Sequence, residues 1–234
     1  MIDLLMRRRE MGLPPAPEPL PEYISDGLVL WLDGKVKGST TDAWTDLING
    51  IVFTKKAGGV TFNSDNVQFG GSSNNCLQNI DNYAFIRCNI GTIECCYRDI
   101  PTSGTRTAFY SYGDASGAIC FQFRESYVVY SAGNTPRPNN GIWAAETTGT
   151  YSVSTALVMQ NGESKGFAST DNYITRKYVG SIIGGSGRGT TIYDCLGGKI
   201  HSLRIYNRHL TEEEVLHNQA IDNTRFNLGL TINS

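Results

Sequence analysis

Carboxylates are the first residues of this sequence to consider for chemistry, because glycoside hydrolysis needs two of them flanking the scissile bond. Glu94 is the nearest candidate, but its neighbours on the chain are Arg98 and Asp99, and no second acid lies two or four residues away on the same strand face. Glu212 to Glu214 are explained by helix capping, and Glu146 stands alone in a turn, as does Glu163. The sequence therefore predicts no catalytic residue and no enzyme, with glycoside hydrolysis as the least favoured alternative.

Thiols and imidazoles are the next candidates, since the chain has six cysteines and three histidines. A zinc site is not expected, because no CxxC pair occurs and His201, His209 and His217 fall on a strand, a turn and a helix. All three histidines lie in the C-terminal quarter, which leaves no Ser-His-Asp or Cys-His constellation. We expect most of the cysteines to be reduced and buried, because the N-terminus lacks the order of a signal peptide. The six are Cys76, Cys88, Cys95, Cys96, Cys120 and Cys195.

The Asp and Asn residues of the predicted loops make calcium binding the alternative to a protein that has no cofactor. Asp and Asn provide the hard oxygen donors that calcium prefers, but they are also the ordinary residues of tight turns. We predict no cofactor and no metal site, and the calcium alternative has no defined ligand set. The residues that would enter it are Asp65, Asn66, Asp81, Asn82, Asp114, Asp171 and Asn172.

A group of aromatic residues in the middle of the chain suggests contact with sugars. Aromatic side chains on an open sheet face can stack on sugar rings, whereas the alternative places them in the core or against a neighbouring subunit. Burial in the core or against a neighbouring subunit is the favoured interpretation. The group consists of Tyr110, Tyr112, Tyr127, Tyr130 and Trp143.

The N-terminal segment is predicted to be an arm rather than part of a domain. Five of the eight prolines fall between Pro14 and Pro21, and such a run favours an extended polyproline form that cannot enter a sheet interior. We therefore divide the chain into residues 1–25, a docking arm with a Pro-rich linker, and residues 26–234, a single domain. The arm is either a disordered leader or a docking peptide whose apolar and basic residues meet a groove and acidic groups. Those residues are Leu4, Leu5, Met6, Arg7, Arg8 and Arg9.

The residues after Gly27 have the pattern of short strands joined by tight turns. Glycine is abundant, at 26 residues, and runs rich in β-branched and aromatic residues are bounded by Gly, Asp and Asn. An antiparallel all-β sandwich is therefore the predicted fold class. The predicted strands are Leu28–Leu32, Ile51–Phe53, Val67–Phe69, Thr92–Tyr97, Ala108–Tyr112, Ala118–Phe123, Tyr127–Ser131, Thr150–Met159, Ser181–Gly184 and Gly198–Tyr206.

One short C-terminal helix is predicted from its capping residues. Thr211 as N-cap and Glu214 at N3 form the capping-box pattern, and Leu210 and Val215 occupy the positions of a hydrophobic staple. The narrow apolar stripe of this helix predicts that it lies on one edge of the sandwich and ends near Asp222.

The overall charge and hydropathy exclude two classes of partner. The net charge is −2 and the folded part has no basic block, so nucleic acid is not an expected partner. No apolar stretch approaches the length that crosses a bilayer, so no membrane partner is expected either.

Several motifs together resemble concanavalin A-like, laminin G-like jelly-roll domains. The most specific is the closing segment Gly197 to Asn218, with its phrase Arg204-Ile-Tyr-Asn-Arg-His-Leu followed by a capped helix. Weaker matches follow in the family's order: the strand from Gly27 to Gly34, the loop Trp44-Thr-Asp-Leu, the hairpin Phe69-Gly-Gly-Ser-Ser and the turn Gln160-Asn-Gly-Glu. The resemblance spans about residues 26–223 and implies a jelly-roll sandwich.

The resemblance implies a function through the arrangement of an arm, a Pro-rich linker and one such domain. This arrangement is similar to structural or fibre proteins of bacteriophages. We therefore expect a non-enzymatic virion protein, made in the host cytoplasm, attached to other virion proteins through its arm and binding host-surface or mucus glycans, and we expect it to form homo-oligomers such as trimers. The alternative is a free bacterial lectin that binds carbohydrate.

Overall fold

The computed structural model describes residues 20–36, 42–79, 90–101, 103–113, 118–124, 127–133, 146–154, 157–166, 178–188 and 191–232. Within these ranges the strands form two large antiparallel sheets and a small hairpin, and one helix follows. This confirms the prediction of an all-β antiparallel sandwich with one C-terminal helix. The N-terminal arm residues Leu4 to Arg9 lie outside the described residues.

The elements are short, as the turn-rich sequence predicts. In chain order they are β1 (Leu28–Asp33), β2 (Ala43–Thr45), β3 (Val52–Lys55), β4 (Val60–Phe62), β5 (Val67–Gly70), β6 (Leu77–Asn79), β7 (Thr92–Arg98), β8 (Arg106–Gly113), β9 (Ala118–Arg124), β10 (Tyr127–Gly133), β11 (Gly149–Ser154), β12 (Val158–Gln160), β13 (Glu163–Gly166), β14 (Tyr178–Ile183), β15 (Ser186–Arg188), β16 (Thr191–Tyr193), β17 (Gly197–Tyr206) and α1 (Glu212–Arg225).

Sheet A is built around β17, the longest of these strands. Its order is β13-β12-β11-β7-β17-β5-β4, and β1 also pairs with β17. One edge of β17 is shared, because residues 197–200 pair with β5 and residues 202–206 pair with β1. The other edge pairs with β7, with a register shift between Ile200 and Ser202.

Sheet B has the order β10-β9-β8-β14-β6-β3-β2, and its inner face packs on sheet A. Alternation along the strands decides which side chains enter this core. In β7, for example, Ile93, Cys95 and Tyr97 face the core, as their spacing predicts. Phe109, Phe121 and Phe123 enter the same core from sheet B. Trp31 and Trp44 are also buried.

The structure differs from the sequence prediction around residues 150–159, where one strand was expected. Two strands, β11 and β12, are separated there because the Ser154 hydroxyl bonds both the amide and the carbonyl of Leu157 and closes a turn. The following hairpin has the expected Asn161-Gly162 turn, in which both residues have positive φ, 53° and 83°. Six strands of three or four residues had no prediction: β2, β4, β6, β13, β15 and β16.

Helix α1 begins with a complete capping box. The Thr211 hydroxyl accepts a hydrogen bond from the amide of Glu214 at 3.3 Å, and Glu214 Oε2 accepts one from the amide of Thr211 at 2.9 Å. Leu210 and Val215 lie in one buried cluster at this end of the helix. The helix continues three residues beyond the predicted end, to Arg225.

Four cysteines have described side chains, Cys76, Cys95, Cys96 and Cys195, and all four are buried and free, as predicted for them. Among the described helices none is long and apolar enough to cross a membrane.

Candidate functional site

A buried ion cluster lies between the outer face of sheet A and helix α1. Alternation places Glu94 of β7 and Arg204 of β17 on the face away from the core, and their Cα atoms are paired in the strand register. Arg204 Nε donates to Glu94 Oε2 at 3.0 Å. The helix supplies a second carboxylate, Asp222, which accepts from Arg204 Nη1 at 2.9 Å and from Nη2 at 2.6 Å. One guanidinium therefore joins two strands and the helix.

The segment before β1 closes this cluster. The Tyr23 ring lies 4.0 Å from the Arg204 guanidinium, and its hydroxyl donates to Asp222 Oδ1 at 2.6 Å. Asn218 of the helix donates to Glu94 Oε2 at 2.8 Å and accepts from the backbone amide of Ile24 at 3.0 Å. Tyr23 and Ile24 fall on the arm side of the predicted boundary at residue 25, and they lie against helix α1.

The protonation of the cluster follows from its burial. Desolvation raises the pKa of Glu94, while Arg204 opposes the rise. Burial also pulls the pKa of Arg204 down, but Asp222 and Glu94 raise it more, so the guanidinium stays charged. Burial, followed by the charge of Asp222, raises the pKa of Tyr23 far above its usual range.

One carboxylate oxygen of the cluster, Glu94 Oε1, has no hydrogen-bond partner among the described residues. Glu94, Arg204 and Asp222 are each no more than 2% exposed. In this conformation the cluster therefore clamps helix α1 and the Tyr23 segment onto sheet A and offers no path to a substrate.

The sequence pattern pointed to one residue of this cluster, Glu94, and showed no second acid on its strand face. Asp222 supplies that second acid from helix α1, 128 positions later by residue number. No sequence motif around Asp222 indicates its contact with Arg204, because that contact depends on how the helix crosses the sheet.

Four of the five predicted sugar-contact aromatics lie on strands of sheet B, and one of these four has a described side chain. Tyr110 is half-buried and packs on a small cluster formed by Cys76, Ile182, Ile192 and Cys195. Tyr112 lies in β8, and Tyr127 and Tyr130 lie in β10, but their side chains fall outside the described part, as does all of Trp143. Their contact with glycans stays a prediction.

The loop residues considered for calcium are also only partly described. Asp65 and Asn66 are hydrogen-bonded to each other at 2.7 Å, and the Asp65 carbonyl lies 3.0 Å from His201 Nδ1. Across the described ranges no group of three or more His, Cys, Asp or Glu side chains is placed to hold a metal ion. Asp81, Asn82, Asp114, Asp171 and Asn172 lie outside those ranges.

Sequence comparison identifies no relative, since no protein-family model and no curated protein sequence matches the chain. Comparison of structures does find matches. Trypanosoma rangeli sialidase in complex with sialic acid matches 96% of this chain with a TM-score of 0.59 and 13% identity. A mutant of that sialidase displaying trans-sialidase activity matches 85% of this chain with a TM-score of 0.58 and 14% identity. This chain covers 38% and 33% of those two proteins, about a third of their length.

A binding module is matched over almost its whole length. The CBM40 of the Ruminococcus gnavus IT-sialidase, bound to α2,3-sialyllactose, has 94% of its chain covered. The match includes 64% of this chain, with a TM-score of 0.51 and 14% identity. At these identities, the matches show a shared all-β sandwich fold.

These matches overturn the predicted function. We expected a non-enzymatic virion protein of a bacteriophage, but the matched structures are sialidases, which are enzymes, and a carbohydrate-binding module. The sialidase matches likewise contradict the prediction that the chain is not an enzyme, because the matched proteins are enzymes. The error arose because the arrangement of an arm, a Pro-rich linker and one such domain was assigned a virion role by analogy, and fold-level analogy does not fix function. The matches favour the alternative, carbohydrate binding.

Proposed function

We propose that this chain is a carbohydrate-binding module for sialylated glycans. The observation that carries the proposal is the match to the CBM40 module, because that module is covered over 94% of its length and was solved with α2,3-sialyllactose bound. The sialidase matched over 96% of this chain was solved with sialic acid bound. Both matches concern proteins that bind the same class of sugar.

We also propose that the sandwich is of the concanavalin A-like, laminin G-like kind. The motifs that suggested this family have structural roles that support it. Arg204 of the closing phrase holds helix α1 to sheet A. Asp46 of the Trp44-Thr-Asp-Leu loop accepts from the backbone amide of Trp31 at 2.7 Å and from that of Asn49 at 2.8 Å, which joins the loop to β1.

The test of the binding function is titration of the full chain with α2,3-sialyllactose, followed by calorimetry, with lactose as the matched neutral sugar. We expect saturable binding of sialyllactose and weaker binding of lactose. A glycan array extends the comparison to other sugars. Absence of saturable binding to any glycan on the array would overturn the proposal.

A second candidate function is hydrolysis of sialosides, which is favoured by the sialidase matches that cover 85% and 96% of this chain. Release of a fluorescent phenol from an aryl sialoside tests it directly. Glu94→Gln is the variant to compare, because Glu94 is the carboxyl nearest to the glycosidase pattern in the sequence and burial raises its pKa. Since Glu94 is 2% exposed, turnover through it would require helix α1 or the Tyr23 segment to move away. Loss of turnover in a Glu94→Gln protein that still unfolds cooperatively would assign chemistry to this carboxyl, whereas no turnover by the unmodified chain would remove this candidate.

A further inference from the structure

Four polar side chains form a continuous row across the outer face of sheet A, beyond the end of helix α1. Strand register places them directly opposite one another: Thr61 pairs with Gln68, Gln68 with Lys199, and Lys199 with Arg98. Directly opposite residues of antiparallel strands point to the same face. Their neighbours Val67, Phe69 and Tyr97 point into the core, so the row faces outward. We call Thr61, Gln68, Lys199 and Arg98 the polar row.

The polar row is open to a ligand over the width of four strands, about 14 Å at the usual strand spacing. Thr61 and Gln68 are exposed, and Lys199 and Arg98 are partly exposed. The Gln68 amide has no side-chain hydrogen bond to any described residue. Hydroxyl, amide and cationic donors in one line suit the hydroxyl groups and the charge of an acidic saccharide.

Two walls turn the polar row into a shallow groove. On one side the end of helix α1 is held close, because Arg98 Nη2 donates to the carbonyl of Asn227 at 2.9 Å. On the other side the next outward positions are two opposed glycines, Gly70 and Gly197. The side chains of Asn75 and Pro101 stand over them, 3.0 Å and 3.3 Å from where a Cβ would lie.

The charges of the groove favour an anion. Like charges directly opposite one another on neighbouring strands are destabilising, and Arg98 and Lys199 are such a pair. Asp99 compensates in part, with its Oδ2 2.6 Å from Lys199 Nζ, but the Asp99 side chain is 58% exposed. An exposed ion pair of this kind contributes about 0–1 kcal/mol, so a ligand carboxylate can compete with Asp99 for the ammonium group.

We propose that the polar row is the site at which this chain binds the carboxylate-bearing sugar of a sialylated glycan. Lys199 and Arg98 meet the carboxylate, and Gln68 and Thr61 bond the sugar hydroxyls. The proposal rests on the proposed binding function and deepens it by assigning a site. It differs from the sequence expectation, which placed sugar contacts on the aromatic residues of sheet B.

The test is calorimetric titration of the full chain and of Lys199→Gln with α2,3-sialyllactose. The matched control is Lys165→Gln, because Lys165 forms a similar exposed pair with Glu163 at 2.5 Å on β13, away from the polar row. A charged hydrogen bond of ordinary strength predicts roughly tenfold weaker binding by Lys199→Gln. Lys165→Gln should bind as the unmodified chain does. Gln68→Ala should also weaken binding, by a smaller factor. Lys199→Gln and Gln68→Ala should have the same melting temperature as the unmodified protein.

The carboxylate itself is tested with the methyl ester of sialyllactose, which keeps the sugar ring and removes the charge. We expect the ester to bind the unmodified chain about as weakly as the free acid binds Lys199→Gln. If sialyllactose binds and Lys199→Gln and Gln68→Ala leave its affinity unchanged, the site is elsewhere and the binding function stands. If the unmodified chain binds no glycan, the proposed function fails and the site fails with it.

Discussion

Arg204 and Asp222 form a two-point ion pair, with Nη1 2.9 Å from Oδ1 and Nη2 2.6 Å from Oδ2, and each side chain is 1% exposed. The pair joins the last strand of sheet A to helix α1. Geometry of this kind gives a charged hydrogen bond its greatest strength. Glu94, 3.0 Å from Arg204 Nε, is the second carboxylate beside the buried guanidinium.

Replacement of Asp222 by Asn should therefore be destabilising. We expect the free energy of unfolding to fall by about 1.5–3 kcal/mol, because the Asn amide has one acceptor oxygen for the donors Arg204 and Tyr23, while Glu94 still neutralises the guanidinium. Denaturant unfolding followed by fluorescence measures the change. Asp99→Asn is the matched control, since its ion pair with Lys199 is exposed and should contribute less than about 1 kcal/mol. Equal effects of the two substitutions would show that the buried pair does not hold the helix.

The cap of the same helix makes a smaller contribution that is also measurable. Thr211→Ala removes the hydroxyl that accepts from the amide of Glu214. We expect a loss of about 1 kcal/mol in the free energy of unfolding. Thr211→Ser keeps the hydroxyl and should retain most of the stability. A loss of the same size in both variants would point to the methyl group of Thr211 instead of its hydroxyl.

These two contacts mark how far sequence reasoning reaches. The capping box was predictable because its partners are three residues apart and their types define the motif. The Arg204–Asp222 pair was not, although both residues lie in predicted elements, because it depends on the crossing of the helix over the sheet. The polar row was even harder to predict from the sequence, since Thr61, Arg98 and Lys199 come from three strands that are distant along the chain. Their alignment is set by strand register, which short strands with few side chains specify weakly.

The stability of the protein should depend on pH through His201. Burial lowers the pKa of His201, and the carbonyl and carboxylate of Asp65 only partly oppose this. The folded protein therefore favours the neutral ring, and the unfolded chain binds more protons as the pH falls below the ordinary pKa of about 6.5. It follows that this group lowers the free energy of unfolding as the pH falls from 7 towards 5, by at most about 1.4 kcal/mol per pH unit.

His201→Asn isolates that contribution. The Asn amide can replace Nδ1 as the donor to the Asp65 carbonyl, which lies 3.0 Å from Nδ1, and it has no group that titrates. Urea unfolding at pH 7, 6 and 5 should show a smaller loss of stability for this variant than for the unmodified protein. Parallel slopes for His201→Asn and the unmodified chain would exclude His201 as the source.

A glycine before β7 should be essential for packing the closing phrase of the sequence. A Cβ on Gly91 would lie 2.3 Å from both the carbonyl carbon and the carbonyl oxygen of Arg208, and these are backbone atoms that cannot turn away. The Gly91 amide also donates to the Tyr206 carbonyl at 2.7 Å, which fixes the approach. We expect Gly91→Ala to lower the free energy of unfolding by roughly 1–3 kcal/mol or more, as overpacking does. Gly58→Ala is the control, because a Cβ there meets no atom within 4 Å, and it should leave the unfolding midpoint unchanged or slightly raised. Equal midpoints for Gly91→Ala and Gly58→Ala would mean that the two backbones separate at little cost.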